Sequence, residues 1–347
     1  MTGAWHRSPR FWVSAITLLI VAAIVWAAWP TVLEAFGSLH LVNPWTLSLL
    51  VPVQLASFAA TGEALFSYLR ARGELRGVRP LTAIRMSLEF NFANHMLPSG
   101  GAAGITYTSW KLAGLGVAPA KGTLAQLARF GVTFVSFSLL LLAAAIWLIA
   151  SGRGTAPVMW AAAGVGALAV LAVAGGVLLL GRRRALHRFA GVLTRLANGA
   201  GRVLGRPAIA ASQPLVRFFD GLHLELRALL AEPRTLLPPF AWSFLLHFCD
   251  AGLFWVALAS IGVLADPALV FVAYGLATVT SMVITTPNGV GAYEVVMIGL
   301  LVAGGLPTTL TVAAITLARV ILLLGTIVFG WAFYQHSVAR FGRERTS

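Results

Sequence analysis

The chain has 347 residues, of which 59% are apolar and only 10% charged, and its mean hydropathy is +0.86. Soluble domains carry about 25% charged residues, so the composition excludes an ordinary soluble fold. It points to helices in a membrane, since the alternating pattern of an outer-membrane barrel is absent. The net charge of +14 sits in short loops beside apolar stretches, where it sets orientation by the positive-inside rule. No basic and aromatic face remains for nucleic acid.

Residues 11–29 form the first apolar stretch. Arg7 and Arg10 precede it, and it is too long, without a small-residue cleavage site, for a signal peptide. A span with a cytoplasmic N-terminus is expected. Residues 30–44 contain no Lys or Arg. A second span, 45–69, contains Glu63, and Arg70, Arg72, Arg76 and Arg79 in the next loop place that loop inside. Residues 81–97 carry Arg85, Glu89, Asn91, Asn94 and His95, groups that are costly against lipid. A turn, Pro98-Ser99-Gly100-Gly101-Ala102-Ala103-Gly104, leads into 105–117, which is too short to span. The expected structure is a re-entrant helical hairpin, because a turn inside lipid survives only where protein or a water-filled cavity covers it.

Residues 123–150 form a span containing Gln126 and Arg129, and 157–180 another, rich in Ala and Gly. Arg182, Arg183, Arg184, Arg188, Arg195, Arg202 and Arg206 mark a cytoplasmic loop. Residues 215–230 place Leu215, Phe218, Phe219, Leu222, Leu226 and Leu229 at helical spacing. They form an amphipathic helix that lies along the inner membrane surface or packs on the cytoplasmic side of the protein. Residues 236–260 form a span with His247 and Asp250. Residues 268–286 lead into a second turn, Pro287-Asn288-Gly289-Val290-Gly291, and 295–303 lead out of it. The last span, 308–335, contains Arg319 and precedes a basic, cytoplasmic tail. The single cysteine, Cys249, lies in an apolar run and is read as a small packed residue.

The halves of the chain superimpose in order and spacing. Glu63 precedes Pro98 by 35 residues (98 − 63) and Arg129 follows it by 31 (129 − 98). Asp250 precedes Pro287 by 37 (287 − 250) and Arg319 follows it by 32 (319 − 287). Charge-based topology starts the first series outside and the second inside, so the repeats are inverted, as in many secondary transporters. The expected architecture is all-α and polytopic, a single transmembrane domain over 1–347. About six full spans and two re-entrant hairpins make up a first repeat unit (45–150), a basic cytoplasmic connector with an amphipathic helix (181–235), and an inverted second unit (236–335).

The turns offer backbone N–H groups at helix starts, where small residues let an anion approach. The candidate substrate-binding residues are Arg129, Arg319, Asn94, Pro98, Gly100, Gly101, Gly104, Pro287, Asn288, Gly289 and Gly291. Glu63, Asp250 and Glu294 are candidates to carry a coupling proton or to orient the arginines. The alternatives are glycines that only permit tight turns and arginine–acid pairs that only brace a hairpin. His247 and Asp250 share a helix face at i, i+3, as a packing pair or a proton relay; no third residue at suitable spacing supports a metal site. No cofactor is expected. Walker, zinc-protease, nucleophile-elbow and paired-cysteine signatures are missing, so no enzyme is expected.

Three features together resemble the lysylphosphatidylglycerol synthase transmembrane family, also called flippase-like domain proteins. These are Asn94-x-x-Leu97-Pro98 with its glycine-rich continuation, Thr286-Pro287-Asn288-Gly289-Val290-Gly291-Ala292-Tyr293-Glu294, and Leu306-Pro307 followed by Arg319. The second is similar to the family's Pro-Gly-Gly-x-Gly-x-x-Glu, with Asn288 in place of one glycine. Many members have a Gly-Glu pair after the first turn; here Gly100-Gly101-Ala102-Ala103-Gly104 has no acid. The resemblance implies lipid translocation in a bacterial-type inner membrane by a stand-alone member without a synthase domain, with both termini cytoplasmic. The cargo would be an anionic or aminoacylated phospholipid or a lipid-linked intermediate, with a separate lipid-modifying enzyme as a possible partner. Two alternatives stay open: an accessory protein that presents lipid to such an enzyme, and a secondary transporter of a soluble solute.

Overall fold

The computed structural model describes residue 37 and residues 42–75, 77–96, 102–203, 212–283 and 291–341. Among them there are helices and no strands. In chain order they are α1 (Pro44–Ser48), α2 (Leu50–Ala71), α3 (Pro80–Met96), α4 (Ala102–Gly114), α5 (Pro119–Ala150), α6 (Ala156–Gly181), α7 (Arg183–Val203), α8 (Ser212–Ala231), α9 (Leu237–Ser260), α10 (Pro267–Val283), α11 (Ala292–Ala303) and α12 (Thr308–Phe341). A short 3₁₀ turn, Pro233–Leu236, precedes α9.

Proline and short polar residues mark the helix starts. Pro44, Pro80, Pro119 and Pro267 stand at first helical positions, where the missing N–H costs nothing. Asn43 caps α1 by accepting from the N–H groups of Trp45 (3.0 Å) and Thr46 (3.3 Å). Asp266 caps α10 by accepting from Ala268 N–H at 2.8 Å. The short helices α4 and α11 end the same way. Gly116 (φ +85°) and Gly305 (φ +97°) take the left-handed conformation. The next residues, Val117 and Leu306, then donate back to the carbonyls of Leu112 and Leu301. Each closure releases the chain into a long helix, α5 or α12.

Five helical segments are long and apolar enough to cross a membrane: Pro44–Ala71, Pro119–Ala150, Ala156–Gly181, Pro233–Ser260 and Thr308–Ile327. The chain is therefore a multi-pass membrane protein. The span expected at 11–29 lies outside the described residues. The hairpin arms are shorter: 17 residues in α3 and α10, 13 in α4 and 12 in α11. At about 1.5 Å per residue, α4 and α11 fall short of a hydrocarbon core of about 30 Å.

The helix series α2–α3–α4–α5 and α9–α10–α11–α12 match in length. They have 22, 17, 13 and 32 residues against 24, 17, 12 and 34. The leading helices α2 and α9 run antiparallel. Asn43 N–H, ahead of α2, donates to Ser260 O at the end of α9 (2.7 Å). Ser57 meets Asp250 midway, and Leu236, ahead of α9, packs in the cluster that holds Leu69. Packing is reciprocal beyond this pair: α3 lies against α12, and α10 against α5. One apolar cluster joins α5, α6 and α9–α12 around Phe137, Phe254, Met297 and Ile315. A second joins α2–α5 with α7 and α8 around Phe66, Leu112, Leu186 and Phe219.

The connector differs in part from the sequence reading. Residues 183–203, expected as a loop, form helix α7, because dense arginines mask a helical apolar face at Leu186 and Ala190. Of the two placements open for 215–230, α8 takes the packed one, burying Phe219, Leu222, Leu226 and Leu229 against the protein. Ion pairs fix this end: Lys121 with Glu74 (2.6 Å), Arg72 with Glu225 (3.5 Å), and Arg183 with Asp220 through two bonds of 2.6 and 2.9 Å. His187 Nε2 also lies 2.8 Å from Asp220. The Arg183 guanidinium, followed by His187, holds the Asp220 carboxyl well below the usual carboxylate range.

Helices α2 and α3 approach closely at Gly62. A Cβ on Gly62 would stand 2.4 Å from the Ala83 carbonyl oxygen, a backbone atom that cannot move aside. Gly62→Ala is therefore expected to destabilise by about 1–3 kcal/mol through overpacking. Gly164→Ala, into open space, is expected to leave stability unchanged or raised. Thermal unfolding of the purified protein in detergent checks the contrast.

Candidate functional site

The two arginines that the spacing pairs as counterparts sit in different electrostatic settings. Arg319 on α12 donates from Nε to Glu294 Oε1 at 2.7 Å, and its guanidinium lies 4.5 Å from the Tyr293 ring centroid. Glu294 is the third residue of α11, and its other oxygen accepts from Gly291 N–H at 2.7 Å. One carboxylate thus caps the helix and holds the arginine. Gly291 has φ +92°, a conformation that disfavours residues with a Cβ.

Arg129 on α5 is buried, at 8% exposure. No acidic side chain among the described residues pairs with it, and its Nε has no hydrogen-bond partner. Its guanidinium lies 4.9 Å from the Phe90 ring centroid and 4.5 Å from that of Phe130. Such rings contribute roughly 0.5–2 kcal/mol each, but they accept no N–H. The third residue of α4, at the position Glu294 holds in α11, is Gly104, which is buried and has no side-chain oxygen.

The acids of the leading helices are also counterparts. Glu63 follows Leu50, the first residue of α2, by 13 (63 − 50). Asp250 follows Leu237, the first of α9, by 13 (250 − 237). Neither meets Arg129 or Arg319. Glu63 pairs with Arg70 on its own helix, and its Oε1 has no partner. Asp250 accepts from Ser57 Oγ at 2.6 Å and from Tyr274 OH at 3.2 Å. His247, one turn before it, bonds through Nε2 to the Thr133 carbonyl at 2.9 Å, leaving Nδ1 without a partner. The two therefore belong to a buried polar seam where α2, α5, α9 and α10 meet.

A further charge cluster braces the first hairpin. Glu89 on α3 is fully buried and accepts from Arg85 Nε (2.9 Å), Tyr107 OH (2.6 Å) and Lys111 Nζ (2.9 Å). Tyr107 and Lys111 lie on α4, so this acid ties the two arms together. The sequence marks Glu89 and Arg85 as costly against lipid. The available signal was helical register: Arg85 and Glu89 are four apart, as are Tyr107 and Lys111.

Beside Arg129, between α2, α3, α4 and α5, a space of about 10 Å³ is lined by Gly62, Ala83, Ser87, Phe90 and Thr108. Among the described residues, that volume is at most room for about one water. A larger groove of about 690 Å³ lies between α6, α10 and α11, away from Arg129. Its lining, including Val165, Leu168, Leu276, Val296 and Leu300, is apolar apart from Thr280. Asn94 falls near the end of α3. Pro98, Gly100, Gly101, Pro287, Asn288 and Gly289 lie outside the described residues.

The family described as Lysylphosphatidylglycerol synthase TM region matches residues 14–330. No curated protein and no solved structure matches the chain.

Two measurements probe these pairings. Glu89→Ala removes the shared acceptor of two cations and a phenol, and is expected to cost about 3–5 kcal/mol, read as a large fall in Tm. A double-mutant cycle of Glu294→Gln with Arg319→Gln is expected to give a coupling of about 0.5–3 kcal/mol. The cycle of Asp250→Asn with Arg319→Gln is expected to give none.

Proposed function

The chain belongs to the lysylphosphatidylglycerol synthase transmembrane family, and on that premise we propose that it translocates a lipid with an anionic headgroup across the membrane. The observation that carries this reading is Arg129. A buried cation costs at least about 2.5 kcal/mol at mid-bilayer, and its counterpart Arg319 has the carboxylate that Arg129 lacks. A phosphate supplied by the substrate answers the unmatched charge, and a guanidinium suits it through paired N–H bonds. The protein's own Glu294 keeps Arg319 neutralised until substrate competes for it.

On this reading the series α2–α5 and α9–α12 are inverted repeats. Their matched lengths, antiparallel leading helices and reciprocal packing support it. The arginine-rich end that carries α7 and α8 is cytoplasmic by the positive-inside rule. The described space at Arg129 has room for about one water, and on this reading headgroup entry involves movement of α3 and α4 relative to α2 and α5. Lipid tails stay outside the protein, and the apolar groove between α6, α10 and α11 suits one of them. Asp250, held by hydroxyls instead of a cation, is the acid free to carry a coupling proton. No covalent step is assigned to the chain.

The test is translocation of a headgroup-labelled anionic phospholipid by purified protein in liposomes. Arg129→Gln is expected to slow it at least tenfold with Tm unchanged or raised, and Arg129→Lys to restore part of the rate. Gly104→Glu, which offers Arg129 an internal carboxylate, is expected to slow it as well. A wild-type rate in folded Arg129→Gln overturns the assignment.

A further inference from the structure

Helix α7 follows the membrane span α6 after one residue, Arg182, so it begins at the bilayer surface. Its faces have different fates. Leu186 and Ala190 are buried in the cluster shared with α8, and Arg183 and His187 bond to Asp220 of α8. A second face carries Phe189, Val192 and Leu196, at spacing i, i+3, i+7, and these are 46%, 45% and 65% exposed. A third carries Arg184, Arg188 and Arg195, which fall within about 40° of one another at 100° per residue and are all exposed. No acidic side chain among the described residues pairs with these three, and Arg195 Nε reaches only the Gly191 carbonyl of its own helix.

Phe189 touches Phe219 of α8 edge-on, with ring centroids 5.8 Å apart, but remains half-exposed, and both outward faces fit one surroundings. In water the Phe189–Leu196 stripe would be an unfavourable apolar patch. At the boundary between headgroups and acyl chains, an apolar stripe flanked by arginines is at a free-energy minimum. Basic residues just beyond a membrane span attract anionic lipid, at about 1 kcal/mol each. We propose that α7 lies in the plane of the membrane surface. Phe189, Val192 and Leu196 enter the acyl boundary, and Arg184, Arg188 and Arg195 contact the phosphates of anionic lipids. Charge selects lipid over a second copy of the chain, because a two-fold contact through this face would bring like arginine stripes together. The surface lies apart from Arg129 and Arg319, so it stands whether or not the chain translocates lipid.

The test places an environment-sensitive fluorophore at Leu196→Cys in a Cys249→Ser background and reconstitutes the full chain in liposomes. The vesicles are phosphatidylcholine alone or phosphatidylcholine with phosphatidylglycerol, each with a spin label on the lipid chain near the headgroup. Arg227→Cys on α8, exposed and on another helix, is the water-facing reference. The expected result is blue-shifted emission and quenching at position 196, absent at 227 and stronger with phosphatidylglycerol. Combining Arg184→Gln, Arg188→Gln and Arg195→Gln is expected to abolish the phosphatidylglycerol dependence with Tm unchanged. Emission at 196 matching that at 227 in both vesicles overturns the proposal. So does cross-linking between copies at 196 without lipid quenching, which would assign the stripe to a dimer.

Discussion

A charge held in an apolar core needs an opposite charge or oriented dipoles within a few ångströms, and the arrangement of this protein follows from how each buried charge meets that need. Glu89 meets it with donors from its own helix and from α4, and so ties α3 to α4. Glu294, half-buried, meets it with Arg319 and with the N–H of Gly291, tying the start of α11 to the last long helix. Asp250 meets it with two hydroxyls from α2 and α10, across the antiparallel pair of leading helices. Each solution joins elements distant in sequence, so the polar groups specify which helices neighbour which, while apolar packing supplies the bulk of the cohesion.

Arg129 breaks this pattern. It has the burial of a structural charge without the partner of one, and two aromatic rings cover it without accepting its N–H groups. The third residue of α4 is Gly104, whereas the third residue of α11 is Glu294. Unmatched polarity of this kind is expected where a local rule has been broken in favour of a ligand. The tight space around it and the close contact of Gly62 with Ala83 put the unmatched charge behind a well-packed wall. On the proposed reading, access depends on moving α3 and α4, which Glu89 holds together, so the two would move as one body.

Much of this was legible in the sequence, because membranes simplify the code. Apolar runs gave the spans among the described residues, and prolines gave several helix starts. The recurring order of acid, turn and arginine falls on two helix series of similar lengths. The Glu294–Arg319 pair was within reach of spacing alone. Partner choice was not. Glu63 and Asp250 occupy matching positions, yet one turns to Arg70 and the other to Ser57 and Tyr274. Rotamer and neighbouring helix decide that outcome, and neither is written in a linear pattern. Glu89 was visible as a costly group, but its partners Tyr107 and Lys111 come from across the turn, and a one-dimensional reading has no means of folding one arm onto the other.

The connector shows the same boundary between local and non-local information. Helical spacing in 215–230 fixed which residues form an apolar face but left open whether lipid or protein covers it, because both are apolar. The structure answers by bringing α7 alongside, with Asp220 as the joint. That joint also explains why α7 keeps a second apolar face outward: α8 can cover only one side of a cylinder, and the arginines crowd the remainder. The connector thus ties the C-terminal end of α2, through Arg72 and Glu225, to the helix whose outward face we assign to lipid.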